Sequence, residues 1–553
     1  MVQYTALLQL QGRKRVYIER QMSGTLRCVM DEYPIVTVSG PRQSGKTTLV
    51  RKCLGGYGYV NLEDPDTAEF ARSDPRGFQM DELPQVHGMT AKTGKDENGR
   101  NLRLGWIKKE QAMKRCFRFG VMAFAALCAT AAEYDVTRYG ARPDGKSDNT
   151  AAIQKAIDDC SAKGGGRVLV PGGGAYMTYT LRLKNNVDLH IDRGATLLGG
   201  EDPLKYPLFG HSEHWNAERA LRFNYRAMFY TVAQTNVSIS GAGTIDGNNE
   251  KFHHWEPKKN WTGYNWWRNS HTNVTGRCVF FVACRDVRLD DVLIRNPGGW
   301  ANWFLDCDRV GVRGARIECD HRFPNGDGLH FGGCRDVVVS DCVVDSQDDA
   351  LVIRCHQEQM KKSRPCERVL VNNCVLRSAR CYAIRMGWRG DGPMKDILLS
   401  NIVCPHSRWG IGFFYPDEAS GWAKHKDPPR GQGLVPPPPE TLIPFYMENV
   451  RFSNVHIACE DEPIWLKVDN GTPFQYMRDI SFSDCTFRSG VPPHIECCAK
   501  HRGHFSNWRF SNVTFDFRRM KWAKKPTAAD IFRAVDGFEF INTRFSLHVK
   551  PAK

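Results

Sequence analysis

From residue 284 onward the chain repeats a short pattern of alternating apolar residues, interrupted once by Asn, Asp or Gly. The clearest copies are CRDVRLDDVLI at Cys284, CRDVVVSDCVV at Cys334 and CERVLVNNCVL at Cys366. Further copies begin at Cys307, Met394, Met447, Met477 and Phe505, and most neighbouring starts lie 23 to 32 residues apart. Alternation at a period of two predicts strands, and the polar residue between them predicts a tight turn.

One strand–turn–strand unit cannot bury its own apolar face, so the units are expected to stack in parallel into an all-β column with aligned side-chain ladders. The cysteines that open four consecutive units fit such a ladder. Sixteen of the 20 cysteines follow residue 132. Buried thiols in a ladder and disulfides in an exported protein both remain open, because pairing cannot be deduced from a sequence.

The segment from residue 134 to residue 200 predicts how the column begins. Asp148 or Thr150 can cap a helix that places Ile153, Ala156 and Ile157 on one face. That helix would cover the open end of the column, where unpaired strand edges would otherwise be exposed. Strands are then expected from Val168 onward.

Two segments carry a family resemblance. YGARPDGKSDNTAAIQKAID resembles the opening of pectinase-type right-handed parallel β-helices. NGDG at 325–328, followed by QDDALVI at 347–353, resembles the active-site signature of glycoside hydrolase family 28, the polygalacturonases and rhamnogalacturonases. The likeness covers roughly residues 133–545. It implies that residues 133–553 form a right-handed parallel β-helix with an N-terminal capping helix and a glycosidase activity on a pectin-like galacturonan or rhamnogalacturonan.

The resemblance also assigns three catalytic carboxylates. Asp348 would be the general acid that protonates the glycosidic oxygen, and Asp327 and Asp349 would activate water on the opposite face, which is an inverting mechanism. The 21 residues from Asp327 to Asp348 match one coil, so the two groups would stack on neighbouring strands about 4.8 Å apart. Crowded carboxylates raise one another's proton affinity, which helps an acid stay protonated.

The chain departs from the family at two other motifs. Where polygalacturonases carry G-H-G it has Arg380 and Cys381, and where they carry R-I-K it has Arg408 and Trp409. We expect arginines near the acids to bind a substrate carboxylate, although each alone is as compatible with a structural ion pair. The predicted substrate-binding residues are Asn325, His330, Arg354, Arg380, Arg385, Arg408 and Trp409. No metal site is predicted.

A different motif precedes this region. A strand-like run from Pro34 leads into GPRQSGKT, which matches the phosphate-binding loop G-x-x-x-x-G-K-[ST]. Residues 20–78 resemble the opening of a bacterial AAA-type ATPase, but the second strand that would position Mg²⁺ is missing. We therefore expect residues 1–90 to be a truncated α/β P-loop ATPase-like segment and residues 91–112 to be a linker. The vestigial nucleotide-binding residues would be Gly40, Gly45, Lys46 and Thr47. No cofactor is expected for the rest of the chain, and this loop is the one place where ATP with Mg²⁺ could bind.

Residues 113–132 have the layout of a secretory signal peptide. Lys114, Arg115 and Arg118 precede an apolar core from Val121 to Leu127, and the segment ends in small residues. If translation starts at Met113, the protein would be secreted or periplasmic.

Charge and composition limit the partners. The formal net charge is +15, a mild basic bias that suits an acidic polymer, and no cluster of Lys and Arg with interleaved aromatics favours nucleic acid. No run reaches the length of a membrane span. The expected partner is a plant cell-wall polysaccharide, and the chain is expected to be a monomer. Three alternatives stay open: a Ca²⁺-dependent lyase or epimerase, a glycan-binding β-helix without catalysis, and a nucleotide-dependent protein.

Overall fold

The computed structural model describes residues 133–207, 225–251, 253–259, 265–269, 275–360, 362–388, 391–415, 443–469, 473–518 and 537–547. Its strands form three parallel ladders along one column. The P-loop residues Gly40, Gly45, Lys46 and Thr47, the segments 1–90, 91–112 and 113–132, and the Pro-rich insertion 417–440 lie outside the described residues.

The first ladder contains the opening strand of each unit. Its strands are Glu133–Asp135, Gly166–Val170, Val187–Ile191, Thr235–Ser240, Arg285–Asp290, Asp308–Arg313, Arg335–Ser340, Cys366–Ser378, Met394–Ser407, Phe445–Cys459, Phe474–Ser483, Phe505–Ser511 and Phe538–Ile541. All neighbours in this ladder are parallel, as the repeat predicts.

The second ladder contains the strand after the turn. Its strands are Asp144–Asp148, Gly174–Thr178, Ala195–Gly199, Thr244–Asp246, Leu293–Arg295, Arg316–Glu318, Val343–Ser346, Thr486–Ser489, Thr514–Phe517 and Arg544–Leu547. Three long strands, Cys366–Ser378, Met394–Ser407 and Phe445–Cys459, pass through the corner and serve both ladders.

The third ladder closes each coil and positions the candidate site. Its strands are Tyr225–Val232, Thr275–Val282, Asn302–Leu305, Leu329–Gly332, Leu351–Arg354, Tyr382–Met386, Trp409–Tyr415, Ile464–Val468 and His494–Cys497. Three ladders per coil make the described region a parallel β-helix, so the predicted fold class is confirmed.

The corners between the first two ladders explain the Asn and Asp residues of the repeat. Asp341, Asn373 and Asn401 have φ angles of 58°, 53° and 53°, a left-handed conformation that Asn and Asp adopt more readily than other non-glycine residues. Asn373 Nδ2 donates to Asp341 Oδ1 over 3.3 Å, and Asn401 Nδ2 donates to Asn373 Oδ1 over 3.2 Å. The side chains therefore both permit the turn and link successive coils.

Apolar side chains fill the column in stacks. Phe452, Phe482 and Phe510 lie ring on ring, with centroid separations of 4.7 Å for each neighbouring pair. Burying one aromatic side chain of this kind contributes about 2–3 kcal/mol to folding. These rings come from successive strands of the first ladder, so each stack links one coil to the next.

The predicted cysteine ladder is present. Cys284, Cys307, Cys334 and Cys366 are all buried within 1% exposure, and their thiols contact backbone carbonyls such as Thr231 O at 3.4 Å. All 16 cysteines of the described region are free thiols. Of the two alternatives left open by the sequence, the structure therefore shows buried thiols and not disulfides in this region.

The capping helix spans Thr150–Ala162 and buries Ile153, Ala156, Ile157 and Cys160. The predicted cap was wrong, because Asn149 occupies the cap position and its amide is committed to backbone groups such as Arg142 N, 2.7 Å away. Asp148 Oδ1 instead accepts a hydrogen bond from Thr150 N at 2.9 Å. The expectation that strands start at Val168 was also wrong, since two short strands precede the helix.

Short 3₁₀ helices and one hairpin complete the described region. The 3₁₀ helices are Val136–Tyr139, Pro203–Lys205, Asn249–Lys251, Gln357–Gln359 and Ala499–His504. The antiparallel hairpin pairs His253–Lys259 with Asn265–Asn269. Within the ranges given above, no helix combines the length and the apolar character needed to cross a bilayer.

Candidate active site

The three carboxylates lie at the entrance to two paired strands of the third ladder. Asp327 comes two residues before Leu329–Gly332, and Asp349, which follows Asp348, likewise comes two residues before Leu351–Arg354. Leu329 pairs with Leu351, and Gly328 N donates to Asp349 O over 2.9 Å. The paired strands therefore bring the three residues to one edge. The expected stacking of Asp327 on Asp348 was one residue off, because this register aligns Asp327 with Asp349.

Two donors bind the carboxyl group of Asp349. Arg385 Nη1 donates to Oδ2 at 2.7 Å, and the backbone N–H of Tyr382 donates to Oδ1 at 3.1 Å. Asp349 is 2% exposed, so these hydrogen bonds replace the water that a buried carboxylate loses.

Asp348 is the more exposed member of the adjacent pair. Burial, followed by the charge of Asp349, raises its pKa to about 6, while a hydrogen bond from the Cys381 thiol acts in the opposite direction. Its backbone carbonyl accepts hydrogen bonds of 2.7 Å from the hydroxyls of Ser346 and Ser378. The backbone is therefore fixed while the carboxyl group is accessible and retains a proton under mildly acidic conditions.

Asp327 is 4% exposed, and its Oδ1 has no hydrogen-bond partner among the described residues. Burial is the main cause that raises its pKa well above the ordinary value, and the charges of Asp348 and Asp349 add to it. Because each of these charges disfavours ionisation of its neighbours, the protonation of Asp327 depends on that of Asp348.

Cys381, which with Arg380 stands where the resemblance would place a G-H-G motif, lies beside two of the acids. One ligand atom from each of Asp348, Asp349 and Cys381 lies within 4.8 Å of the others, a spacing compatible with a cation. Arg385 already compensates one of these charges. The three residues are as compatible with a site that holds no cation. Burial and the two carboxylates raise the pKa of Cys381, which keeps its thiol neutral.

Aromatic and cationic side chains extend from the acids along the next coils. The Arg385 guanidinium lies 4.1 Å from the ring of Trp388, and Tyr382 stacks on Trp409 with 5.1 Å between centroids. Arg408 covers Trp409 at 4.3 Å and its Nε donates to Asp461 at 3.0 Å. Flat rings beside guanidinium groups offer both a stacking surface and hydrogen-bond donors.

The other predicted binding residues are placed differently. Arg354 is bound to Asp391 through hydrogen bonds of 2.8 and 2.7 Å and its side chain is 8% exposed, so its guanidinium belongs to a buried ion pair. His330 is 2% exposed and lies under Trp300, which covers the ring that we expected to meet substrate. Arg380 is partly buried.

Asn325 is exposed and has a φ of 59°, so the turn itself already accounts for an asparagine at this position.

Several contributing residues were not predicted. Tyr382 supplies the N–H to Asp349, Asp391 neutralises Arg354, and His356 packs 4.9 Å from His330. The alternation in YAIRM was the only sequence signal for Tyr382. Nothing in the sequence around His356 or Asp391 indicates their partners, because these lie 26 and 37 residues away.

Two surface cavities lie elsewhere on the column. One of about 720 Å³ is lined by residues such as Arg167 and Asp188, and one of about 510 Å³ by residues such as His321 and Val343. Neither is lined by the three acids. We place the site by the convergence of charged groups and not by the size of a cavity.

Comparison with known proteins gives the same family as the sequence motifs. Residues 208–367 match the model of glycosyl hydrolases family 28, and residues 134–193 match rhamnogalacturonase A/epimerase, pectate lyase-like. Residues 32–91 match an AAA domain, in agreement with the predicted N-terminal segment. The predicted family resemblance is therefore confirmed.

Individual relatives are distant. An exo-poly-alpha-D-galacturonosidase of Dickeya chrysanthemi is 27% identical over 318 residues, which cover 50% of this chain and 51% of that protein. A "Probable polygalacturonase" of Vitis vinifera is 23% identical over 301 residues, covering 52% and 58%. The chain spans about half the length of these curated relatives.

Two solved structures share the fold. The family 28 exopolygalacturonase of Yersinia enterocolitica matches with a TM-score of 0.52 and 19% identity, covering 76% of this chain and 79% of that one. The exopolygalacturonase of Thermotoga maritima matches with a TM-score of 0.51 and 20% identity, covering 70% and 92%.

Proposed function

We propose that this chain, which carries a glycosyl hydrolase family 28 domain, hydrolyses the glycosidic bonds of a galacturonan-type or rhamnogalacturonan-type pectic polysaccharide with inversion of configuration. The observation that carries the proposal is the convergence of Asp327, Asp348 and Asp349 at one edge of the third ladder, with Arg385 bound to Asp349. A structural ion pair needs only one acid for one arginine. This edge holds three acids around Arg385, which a purely structural role does not explain.

The environments of the acids suggest their roles. Asp348 is accessible and has a raised pKa, which suits a general acid that protonates the glycosidic oxygen. Asp349 is stabilised as an anion by Arg385 and by the Tyr382 N–H, which suits a base that takes a proton from water. Asp327, one coil earlier, would share in orienting that water.

The side chains beyond the acids suggest a substrate with carboxylates. Arg385 and Arg408 are each paired with an aspartate beside aromatic rings, and a guanidinium has five donors, so one group can bind both an aspartate and a sugar carboxylate. Trp409 offers an aromatic face for a sugar ring. Because the R-I-K motif is absent, we propose that Arg380, Arg385 and Arg408 replace it.

Reducing ends released from a panel of pectic polymers test the proposal, and ¹H NMR of the fresh product tests inversion. Asp348→Asn is expected to lower the rate by at least about 10²-fold, because the acid is lost. Asp345→Asn is the matched control: Asp345 is an acid of the second ladder bound to His321 and Arg377, and its replacement should leave the rate within about twofold.

The same assay separates the alternative of a lyase. A lyase releases an unsaturated product that absorbs in the ultraviolet and requires a base. Arg354 and Arg385 are each bound to an aspartate, which stabilises the protonated guanidinium and makes either a poor base. A Ca²⁺-dependent unsaturated product would contradict hydrolysis.

Export and assembly are part of the proposal. We propose that translation starts at Met113 and that residues 113–132 direct the protein to the periplasm or out of the cell. The 133–553 domain would be a monomer, and the P-loop segment would take no part in catalysis. N-terminal sequencing of the natural product tests this, because a mature end near Ala132 would support it and an intact Met1 would contradict it.

A further inference from the structure

Two buried histidines lie beside the acids and have no assigned role. His330 and His356 are 2% and 0% exposed, and their ring centroids are 4.9 Å apart. None of their four ring nitrogens has a hydrogen-bond partner among the described residues. Buried polar groups without a partner are rare in proteins, so such a pair needs a physical explanation.

The position of His330 relative to Asp327 offers an explanation for one of these histidines. His330 Nδ1 lies 3.8 Å from Asp327 Oδ2, and Asp327 Oδ1 lacks a partner in the same described region. Trp300 covers the imidazole with 4.2 Å between ring centroids, which restricts its rotation. A separation of 3.8 Å is longer than a hydrogen bond, but catalytic hydrogen bonds often tighten only when substrate binds.

The surrounding charges favour a neutral imidazole. Burial, followed by Arg354, Arg277 and Arg385, lowers the pKa of His330 well below its usual value. A neutral imidazole has one N–H, which can be placed on Nδ1. Several charged or titratable groups act on Asp327 or His330. They are Arg277 from two strands earlier in the third ladder, Cys319 from the second ladder's side of the same coil, Asp348, Asp349, Arg354 and His356 from the following coil, and Arg385 from the coil after it.

We propose that His330 is a positioning residue, whose Nδ1–H donates a hydrogen bond to Asp327 and keeps that carboxylate ionised and oriented for the activation of water. This inference rests on the proposed function. It replaces the expectation that His330 contacts the sugar. Asp327 needs such a donor because its burial and two acidic neighbours favour the protonated form.

The test is the pH dependence of kcat/KM for the full chain and its variants. Removing the donor with His330→Leu should raise the pKa of Asp327 and move the acid limb of the profile upward by about one pH unit. His330→Asn places an amide N–H close to the position of Nδ1 and should restore the limb to within about 0.3 unit. His356→Phe alters the same packing without touching Asp327 and should leave the limb unchanged.

A readout without turnover separates this inference from the proposed function. With aspartate labelled at the carboxyl ¹³C, the resonance lost in Asp327→Asn identifies Asp327, and its titration should move upward in His330→Leu. His330→Met serves in its place if the leucine variant does not fold. An unchanged Asp327 titration in either variant would overturn the inference, whereas a wild type that titrates as expected but releases no reducing ends would contradict only the proposed function.

Discussion

Arg385 Nη1 lies 2.7 Å from Asp349 Oδ2, and the two residues come from strands one coil apart. The Asp349 side chain is 2% exposed and that of Arg385 is 16% exposed, so the pair is largely shielded from water. The arginine therefore fixes both the charge and the position of the carboxylate at the centre of the acidic group.

Arg385→Met should lower kcat/KM by about 10²-fold, because Asp349 loses the donor that holds it in place. Displacing a reacting group by about 1 Å typically lowers the rate by this factor. Arg385→Lys keeps the charge but not the planar geometry, and it should recover part of the loss. Initial rates of reducing-end release at saturating and low substrate measure both effects. A methionine variant with the wild-type rate would show that the pair is only structural.

The pH profile should fall on its alkaline side near the pKa of Asp348, which burial and Asp349 raise to about 6. A general acid works only while it is protonated, so activity should be retained below that pH and lost as pH rises through it. The measurement is kcat/KM from about pH 4 to pH 8. An alkaline limb above about pH 8 would assign the acid to another group.

Asp348→Asn should inactivate the protein and yet stabilise it at neutral pH. The folded-state pKa of Asp348 is raised, so its contribution to the free energy of unfolding is fully present below its unfolded value of 3.8 and is lost as pH rises through about 6. Asparagine cannot ionise, so the variant should gain about 2–3 kcal/mol at about pH 8 and almost nothing at about pH 3.5. Urea unfolding at the two pH values tests the difference.

Arg354→Met should destabilise the fold by about 3–5 kcal/mol, because it leaves the Asp391 carboxylate buried and unpaired. The double variant Arg354→Met with Asp391→Leu should recover much of that loss, since no uncompensated charge remains. Urea unfolding of the two single variants and the double variant gives the coupling energy. Additive single effects would show that the pair does not interact.

Reducing agents should leave the melting temperature of the 133–553 region unchanged, because the 16 cysteines described there are free thiols. Cys307→Ala should cost about 1–2 kcal/mol through the gap left between Cys284 and Cys334. Cys498→Ala, near the end of the column and partly exposed, is the matched control and should cost less. A loss of stability on reduction would indicate disulfides.

The repeat made much of the fold predictable. Alternation and turn residues are local, and a tight turn needs Asn or Asp whatever surrounds it, so the strands around Cys334 and Cys366 could be inferred directly. The acidic group was predicted from the resemblance of NGDG and QDD to a family signature, and the predicted alignment of Asp327 with Asp348 was one residue off, because the strands pair with an offset that aligns Asp327 with Asp349. The cap at Asn149 was missed because its side chain bonds to a distant backbone segment rather than to the helix.

The sequence by itself determined the parallel column, its ladders and the edge at which Asp327, Asp348 and Asp349 meet, because a periodic chain stacked on itself has little choice of register. Tertiary structure decided that Arg385 binds Asp349, that Arg354 binds Asp391 and that His330 lies beneath Trp300. Coils differ in length, so which side chains face one another across neighbouring coils depends on the path of each insertion and not on the period.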